Sequence, residues 1–158
     1  MANTQSMCTS FLGEVLTATH NFGTAPTRGT SAADTFKAAL YLASATINAA
    51  TTAYTATGEV SGTGYSAGGV TVTNATAPTS TNSSSTAGVG YWTPSASITY
   101  TSVTLTTAFD AVLIYNSTQS DKAVSVHTFG SQTITAGTFT LTMPSNTTST
   151  ALLRLATT

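Results

Sequence analysis

The side chains that could act as acids, bases or nucleophiles are few and far apart in this chain. There are two histidines, one cysteine and five carboxylates, whereas hydroxyl groups are abundant. A hydrolase needs a nucleophile beside a base and an orienting acid, and His20, His127, Asp34 and Asp110 are the candidates. No G-x-S-x-G turn or other local signature accompanies them. We therefore expect no catalytic residue and predict that the chain is not an enzyme.

Two other kinds of chemistry are disfavoured by spacing. Glycoside cleavage needs two carboxyl groups brought together, and no two of the acids are close in sequence. Zinc and calcium sites have characteristic ligand spacings, which Cys8 and two distant histidines do not match. We expect no metal site and no cofactor.

The stretch GEVSGTGYSAGG, residues 58–69, concentrates glycine around a rare acid, Glu59. Such a stretch could bind a ligand through its backbone N–H groups, or it could form closely packed turns with only a structural role. A phosphate loop would need a lysine and a following helix, and neither is present. We therefore predict turn or bulge glycines, with positive φ at Gly62 or Gly64, Val60 and Tyr65 packed on a sheet, and Glu59 as a satisfied edge charge. The predicted structural glycines are Gly58, Gly62, Gly64, Gly68 and Gly69.

Charge is scarce throughout the chain. Charged residues make up 6% of the 158 residues and the formal net charge is −1, while soluble domains average roughly 25% charged residues. Near-zero net charge favours association, so we expect a homo-oligomer such as a trimer. The scattered basic residues predict no nucleic-acid partner. No apolar run is long enough for a membrane span, and no basic leader precedes one, so we expect no membrane contact and synthesis in a cytoplasm.

The elements that would position these residues begin with a predicted helix at about residues 4–18. Asn3 or Thr4 could cap it, and its apolar side chains recur at three- and four-residue steps. The apolar face of this helix is wider than the stripe that packing against its own domain would cover, so we predict that it lies in a subunit interface. The alternative is that the helix caps the β domain of its own subunit. The predicted interface residues are Met7, Phe11, Leu12, Val15 and Leu16.

Short β-type segments with turn punctuation occupy most of the rest. They predict one mainly β domain over residues 1–158, an antiparallel β-sandwich or jelly-roll-like barrel with a short N-terminal helix. Residues 111–115 are continuously apolar and predict the central strand. A Ser/Thr-rich exposed loop is expected at about 76–90. The predicted strands cover residues 35–44 (where a helix remains possible), 68–76, 95–107, 109–117, 122–130, 137–144 and 151–157.

The predicted core consists of the alternating or continuous apolar positions of these strands. They are Phe36, Leu40, Leu42, Val112, Ile114, Val124, Val126, Phe139, Leu141, Leu153 and Leu155.

Several of these segments together resemble a family of small virion proteins of tailed bacteriophages and prophages. The likeness covers nearly the whole chain. It rests on residues 34–45, on the E-V-S-G-T-G-Y-x-A-G-G core at 59–69, on the Trp-containing segment running into the apolar strand at 91–116, and on Phe129-Gly130 with the terminal 137–144 segment. The chain departs from the family pattern where Thr93-Pro94 directly follows Tyr91-Trp92, and in its Ser/Thr-rich loop.

The resemblance implies a structural protein of the virion. A capsid decoration (cement) protein that binds the major capsid protein fits low charge and many short strands, because permanent interfaces replace solubility as a monomer. The alternative is a tail, neck or fibre component, whose Tyr65, Tyr91 and Trp92, with Tyr100, could expose an aromatic surface for host glycans.

Overall fold

A computed structural model describes residues 2–16, 18–22, 33–73, 77–81 and 88–157 of the chain. These residues form a mainly β structure in which one helix is present. The elements in chain order are β1 (Ser6–Met7), α1 (Thr9–Leu16), β2 (Phe36–Leu42), β3 (Val70–Thr71), β4 (Thr79–Ser80), β5 (Val89–Trp92), β6 (Ile98–Asn116), β7 (Lys122–Leu141) and β8 (Leu153–Ala156).

Two antiparallel sheets pack against each other, which confirms the predicted sandwich class. The larger sheet has the strand order β1-β7-β6-β2-β3 and the smaller has the order β4-β5-β8. Aromatic rings join them: the ring of Phe22 lies 4.3 Å from that of Phe36 on β2 and 4.8 Å from that of Trp92 on β5. Phe36 and Trp92 are both buried, so the contact between the sheets is part of the hydrophobic core.

The dominant element is a long hairpin made of β6 and β7, with 19 and 20 residues. We predicted four separate strands here, which was wrong. The glycines that suggested chain breaks, Gly130 and Gly137, lie inside β7, where its register with β6 shifts repeatedly. A glycine in a strand interior often marks a bulge, so these residues interrupt the ladder without ending the strand.

The central strand was predicted correctly. The half of β6 from Phe109 to Asn116 pairs with β2 on one side and β7 on the other, and Ala111 to Tyr115 are buried. Seven predicted core residues are buried: Phe36, Leu40, Val112, Ile114, Val124, Val126 and Leu153. Three others, Leu42, Phe139 and Leu141, are partly buried against the core.

Leu155 is the exception among the predicted core residues, because it is 43% exposed. It lies on β8, which has a described neighbour on one side only, the strand β5. The alternation of ALLRLAT therefore indicated a strand correctly, but not which positions face the core.

The N-terminal segment differs from the predicted helix at 4–18. Ser6 and Met7 pair with Val126 and Ser125 of β7, and the helix begins only at Thr9. A short helix is marginal by itself, so backbone pairing with a strand edge prevails over helix propensity in the first turn.

Asn3 does not cap a helix. Its side-chain amide donates to the carboxylate of Asp110 at 2.6 Å and to the carbonyl of Leu42 at 3.1 Å, while its oxygen accepts from the N–H of Ile47 at 3.1 Å. Asp110 is the residue that the pairing of β2 with β6 skips. Asn3 therefore connects the N-terminal segment to the β-bulge of β6 at Asp110.

The predicted loop at 76–90 is interrupted by strand pairing. Residues 77–80 are exposed as expected, yet Thr79 and Ser80 pair with Tyr91 and Gly90 of β5, which already begins at Val89. The predicted strand at 68–76 is reduced to Val70–Thr71. Residues 74–76 and 82–87 lie outside the described part of the chain.

Candidate functional site

The glycine-rich stretch lies across the larger sheet, with its backbone against β2 and β6. The N–H of Val60 donates to the carbonyl of Leu40 at 3.0 Å, and the N–H of Leu42 donates to the carbonyl of Gly58 at 2.9 Å. At its other end, the N–H of Thr104 on β6 donates to Thr63 at 2.8 Å. We call residues 58–69 the strap.

Each strap glycine lies where a side chain would collide or strain the backbone. Gly58, Gly64, Gly68 and Gly69 have positive φ. Gly62 does not, but a Cβ there would lie 2.0 Å from the carbonyl oxygen of Thr104. At Gly69 the corresponding distance to the carbonyl oxygen of Ala38 is 1.7 Å. The glycines therefore serve close backbone approach, as predicted, although Gly64 and not Gly62 has the positive φ.

Glu59 is the polar centre of the strap. One carboxylate oxygen, Oε1, accepts from the hydroxyl of Tyr65 at 2.7 Å and from the N–H of Gly68 at 2.8 Å. The other, Oε2, accepts from the hydroxyl of Tyr54 at 2.7 Å. These contacts agree with the expectation that the charge of Glu59 is satisfied. Glu59 does more than discourage wrong pairing at a sheet edge, because it connects the start of the strap to Tyr65 and Gly68 near its end.

Further tyrosines surround this carboxylate and bind the backbone. Tyr100 donates to the carbonyl of Ala38 at 2.8 Å and Tyr115 donates to the carbonyl of Gly68 at 2.8 Å. The hydroxyl of Tyr65 also accepts from the N–H of Leu40 at 3.0 Å. The rings of Tyr54 and Tyr115 stack at 4.9 Å.

The tyrosines of this cluster are held in the neutral form. Burial, followed by the hydrogen bond to Glu59, raises the pKa of Tyr54 to about 12. The same two causes raise the pKa of Tyr65 further, and burial raises those of Tyr41, Tyr100 and Tyr115. Neutral hydroxyls donate to a carboxylate whose two oxygens are both occupied, so the arrangement suits structural support and not proton transfer.

A second polar cluster joins the helix to the ends of β6 and β7. Glu14 on α1 contacts the His20 ring nitrogen Nε2 at 2.8 Å and the Lys122 ammonium at 2.7 Å. Burial raises the pKa of Glu14, but the hydrogen bonds and charges of Lys122 and His20 outweigh it, so the net pKa is lowered. This cluster fixes α1 to the start of β7.

The same cluster continues through His20 to a buried acid. Asn116 lies 3.0 Å from the second ring nitrogen of His20 and donates to Asp34 at 2.7 Å. Asp34 also accepts from the backbone N–H of Asn21 at 2.8 Å and from Gln119 at 3.2 Å. His20 lines a largely apolar cleft, but its side chain has no exposed surface and both of its ring nitrogens are engaged, one by Glu14 and one by Asn116. The order of acid, amide and imidazole therefore resembles a catalytic array in which the imidazole is already fully hydrogen-bonded.

Ser125 and His127 are a third candidate pair. The Ser125 hydroxyl lies 2.9 Å from Nε2 of His127, within reach for nucleophile activation. Ser125 is buried, however, and no described carboxylate hydrogen-bonds His127. Burial lowers the pKa of His127 to about 4, so the ring is neutral at pH 7 and acts as a structural hydrogen-bond partner.

The predicted aromatic surface does not form. Trp92 is 3% exposed and Tyr100 is 2% exposed, and Tyr65 is half-buried with its hydroxyl bound to Glu59. Tyr91 is half-buried in the wall of a largely apolar cleft of about 520 Å³ that also includes Trp92 and Phe22. The prediction of exposed Trp92 is wrong because that ring joins the two sheets.

The predicted interface residues of the helix face mostly inward. Phe11 is buried, and Met7 and Val15 are partly buried against the same core. Leu12 is 48% exposed, while the side chain of Leu16 lies outside the described part of the structure. The burial of Phe11 agrees with the alternative that the helix caps its own subunit, and it corrects the interface assignment of that residue. For Met7, Leu12 and Val15, which keep accessible surface, the interface assignment stays a prediction.

Two other kinds of site are absent from the described residues. Within those residues, no three or more His, Cys, Asp or Glu side chains are grouped so that they could hold a metal ion. None of the helices in the described ranges has the length and apolar character to cross a bilayer.

Comparisons with protein-family models, curated proteins and solved structures found no match.

Sequence reasoning found Glu59 and the strap glycines but missed their partners. Nothing in the sequence indicated a polar role for Tyr54 or Tyr115, because an isolated tyrosine in a β segment is usually interpreted as a core residue. The contact of Asp34 with Asn116 joins residues that are 82 positions apart, and no local pattern reveals it. The position of His20 just after a helix was the one available signal for its contact with Glu14.

Proposed function

We propose that this chain is a structural protein of a tailed-bacteriophage virion, and that it works as a capsid decoration (cement) protein. In this role it is made in the bacterial host cytoplasm, binds the major capsid protein and associates with copies of itself. The resemblance of residues 59–69 and their flanking strands to small phage virion proteins supports the proposal.

One structural observation carries it: the rare ionisable groups serve to hold the chain's own segments together. The carboxylates of Glu14, Asp34, Glu59 and Asp110 each accept at least one hydrogen bond from another segment of the same chain. Catalytic sites instead keep perturbed acids and bases accessible in a cleft. A chain that commits its scarce charges to internal contacts is suited to rigidity and to broad, uncharged interfaces.

The tail, neck or fibre alternative loses one of its supports. Its glycan-binding version needed several exposed aromatic rings, and Trp92 and Tyr100 are buried. A tail position without glycan binding remains the competing hypothesis, and it differs from decoration in the number of copies per particle.

Add-back to particles tests the proposal. Particles assembled without this chain should release DNA at a lower temperature than complete particles, and purified chain should bind them and restore the original temperature. The variant Gly69→Ala, which should be strongly destabilised because its Cβ would lie 1.7 Å from a carbonyl oxygen, is the control and should restore the release temperature less well. If folded wild-type chain neither bound the particles nor raised their release temperature, the cement function would be wrong.

A further inference from the structure

The C-terminal half of β7 is an open sheet edge. β1 covers β7 only at Ser125 and Val126. From Phe129 to Leu141 the strand has β6 on one side, and no described strand pairs with its other side. Unpaired N–H and C=O groups on such an edge can pair with another chain.

Only part of this edge is regular enough to accept a strand. The pairing with β6 shifts between Phe109 and Leu105, where the extra residues lie in β6, and again between Leu105 and Val103, where β7 has one extra residue before Gly137. From Phe139 to Leu141 the pairing with Tyr100 to Ile98 is continuous, and at the shift between Gly137 and Phe139 the extra residue lies in β6. Residues 137–141, GTFTL, therefore contain no extra β7 residue and are the usable segment, about 16 Å long. We call them the edge segment.

The edge segment lacks the usual protection against pairing. Proteins block exposed edges with charged side chains or proline. No Asp, Glu, Lys or Arg occurs between Lys122 and Arg154, and no proline occurs between Pro94 and Pro144. Thr138 and Thr140 are exposed, while Phe139 and Leu141 are partly buried against the core.

We propose that the edge segment pairs with the same segment of a second copy, antiparallel across a two-fold axis through Phe139. In this register Thr138 faces Thr140 of the second copy, Gly137 faces Leu141, and the two Phe139 residues face each other. An uncharged segment places no like charges together in this arrangement, and cross-strand Thr and aromatic pairs are favourable. Phe139 is already part of an aromatic cluster, 5.1 Å from Phe109 and 5.1 Å from Phe129, which a second copy would extend.

The inference deepens the proposed function, since it gives the homo-oligomeric contact a location. A five-residue edge is much smaller than a standard interface of about 800 Å² per partner. The pairing is therefore weak in solution, and it gains strength where copies are held side by side on a particle.

The test uses charged variants of the edge segment that repel their own copies and attract each other. The variants Thr138→Lys/Thr140→Lys and Thr138→Glu/Thr140→Glu each place like charges opposite each other twice, so each should raise the dimer dissociation constant about 10-fold. An equimolar mixture of the two variants should form a heterodimer, because every introduced charge then faces its opposite. Sedimentation equilibrium and native mass spectrometry would measure these states.

The control is Ser61→Lys/Thr63→Lys, which adds the same charge at two exposed strap positions on the other side of β6 from β7. It should leave the dimer constant unchanged, and thermal melts should show that all variants fold. A wild-type chain that stays monomeric at about 1 mM would overturn the inference. So would unaffected dimers of the lysine variant, or a variant mixture that does not pair. None of these outcomes bears on whether the chain binds particles, which the add-back experiment decides separately.

Discussion

Replacing Glu59 by glutamine should destabilise the domain although it changes only one side-chain atom. The carboxylate accepts three hydrogen bonds, from Tyr54, Tyr65 and the N–H of Gly68. Hydrogen bonds to a charged acceptor contribute about 1.5–3 kcal/mol each and neutral ones about 0.5–1.5 kcal/mol. Weakening three such bonds at a half-buried site gives an expected loss of about 1–3 kcal/mol.

Thermal and urea unfolding would measure this loss. For a domain of this size each kcal/mol corresponds to about 2–4 °C, so Glu59→Gln should lower Tm by several degrees. Asp121→Asn is the matched control, because it makes the same change of charge at an exposed turn and should cost less than about 0.5 kcal/mol. Equal, near-zero losses for the two variants would refute the view that Glu59 holds the strap in place.

Three further predictions concern the strap, the buried histidine and the core. Gly69→Ala should cost at least about 2 kcal/mol, because its φ is +71° and its Cβ would meet the carbonyl oxygen of Ala38. Gly130→Ala should be nearly neutral in the same melts, because its Cβ would meet only the end of the Gln132 side chain, at 4.0 Å. Burial lowers the pKa of His127 to about 4, so between pH 6.5 and about 4 the unfolded chain binds a proton at this residue that the folded chain does not. The free energy of unfolding should therefore fall by about 2–3 kcal/mol as the pH drops through this window. The variant His127→Gln should weaken this dependence of stability on pH. Ile114→Ala should cost about 2–5 kcal/mol in urea unfolding, and unchanged stability would contradict the central position of its strand.

The sequence predicted the class of the fold because its strongest signals are local. Alternating or continuous apolar residues mark β2 and the centre of β6, and their pairing partners bury them as expected. The length of β7 was missed because Gly130 and Gly137 have the same local signature in a bulge as in a turn. Only the pairing between the two strands distinguishes these cases.

The N-terminal segment shows a different limit. Its spacing of apolar residues fits a helix, and Thr9–Leu16 is helical, but the periodicity does not say which surface the helix covers. That depends on contacts of Asn3 with Leu42 and Asp110 and of Glu14 with Lys122, which cross most of the chain. Removing residues 1–18 should therefore destabilise the whole domain, and not merely detach a subunit contact.

The candidate site divides in the same way. The strap glycines were predictable, because their density in residues 58–69 has few explanations apart from turns and close approach. The hydrogen bonds of Tyr54 and Tyr65 to Glu59 were not, although both residues lie within six positions of it, because in an irregular segment the spacing does not determine which side chains meet. The polar cluster of Asp34, Asn116 and His20 was unpredictable because its members are far apart in sequence.

The copy number of this chain in purified particles tests the central proposal most directly. Quantitative mass spectrometry of particles from the producing cells, with isotope-labelled peptides of this chain and of the major shell protein as standards, would give the ratio. A decoration protein should approach the copy number of the shell protein. A ratio of a few copies per particle would instead place the chain in the tail or neck, and its absence from the particles would contradict a structural role in the virion.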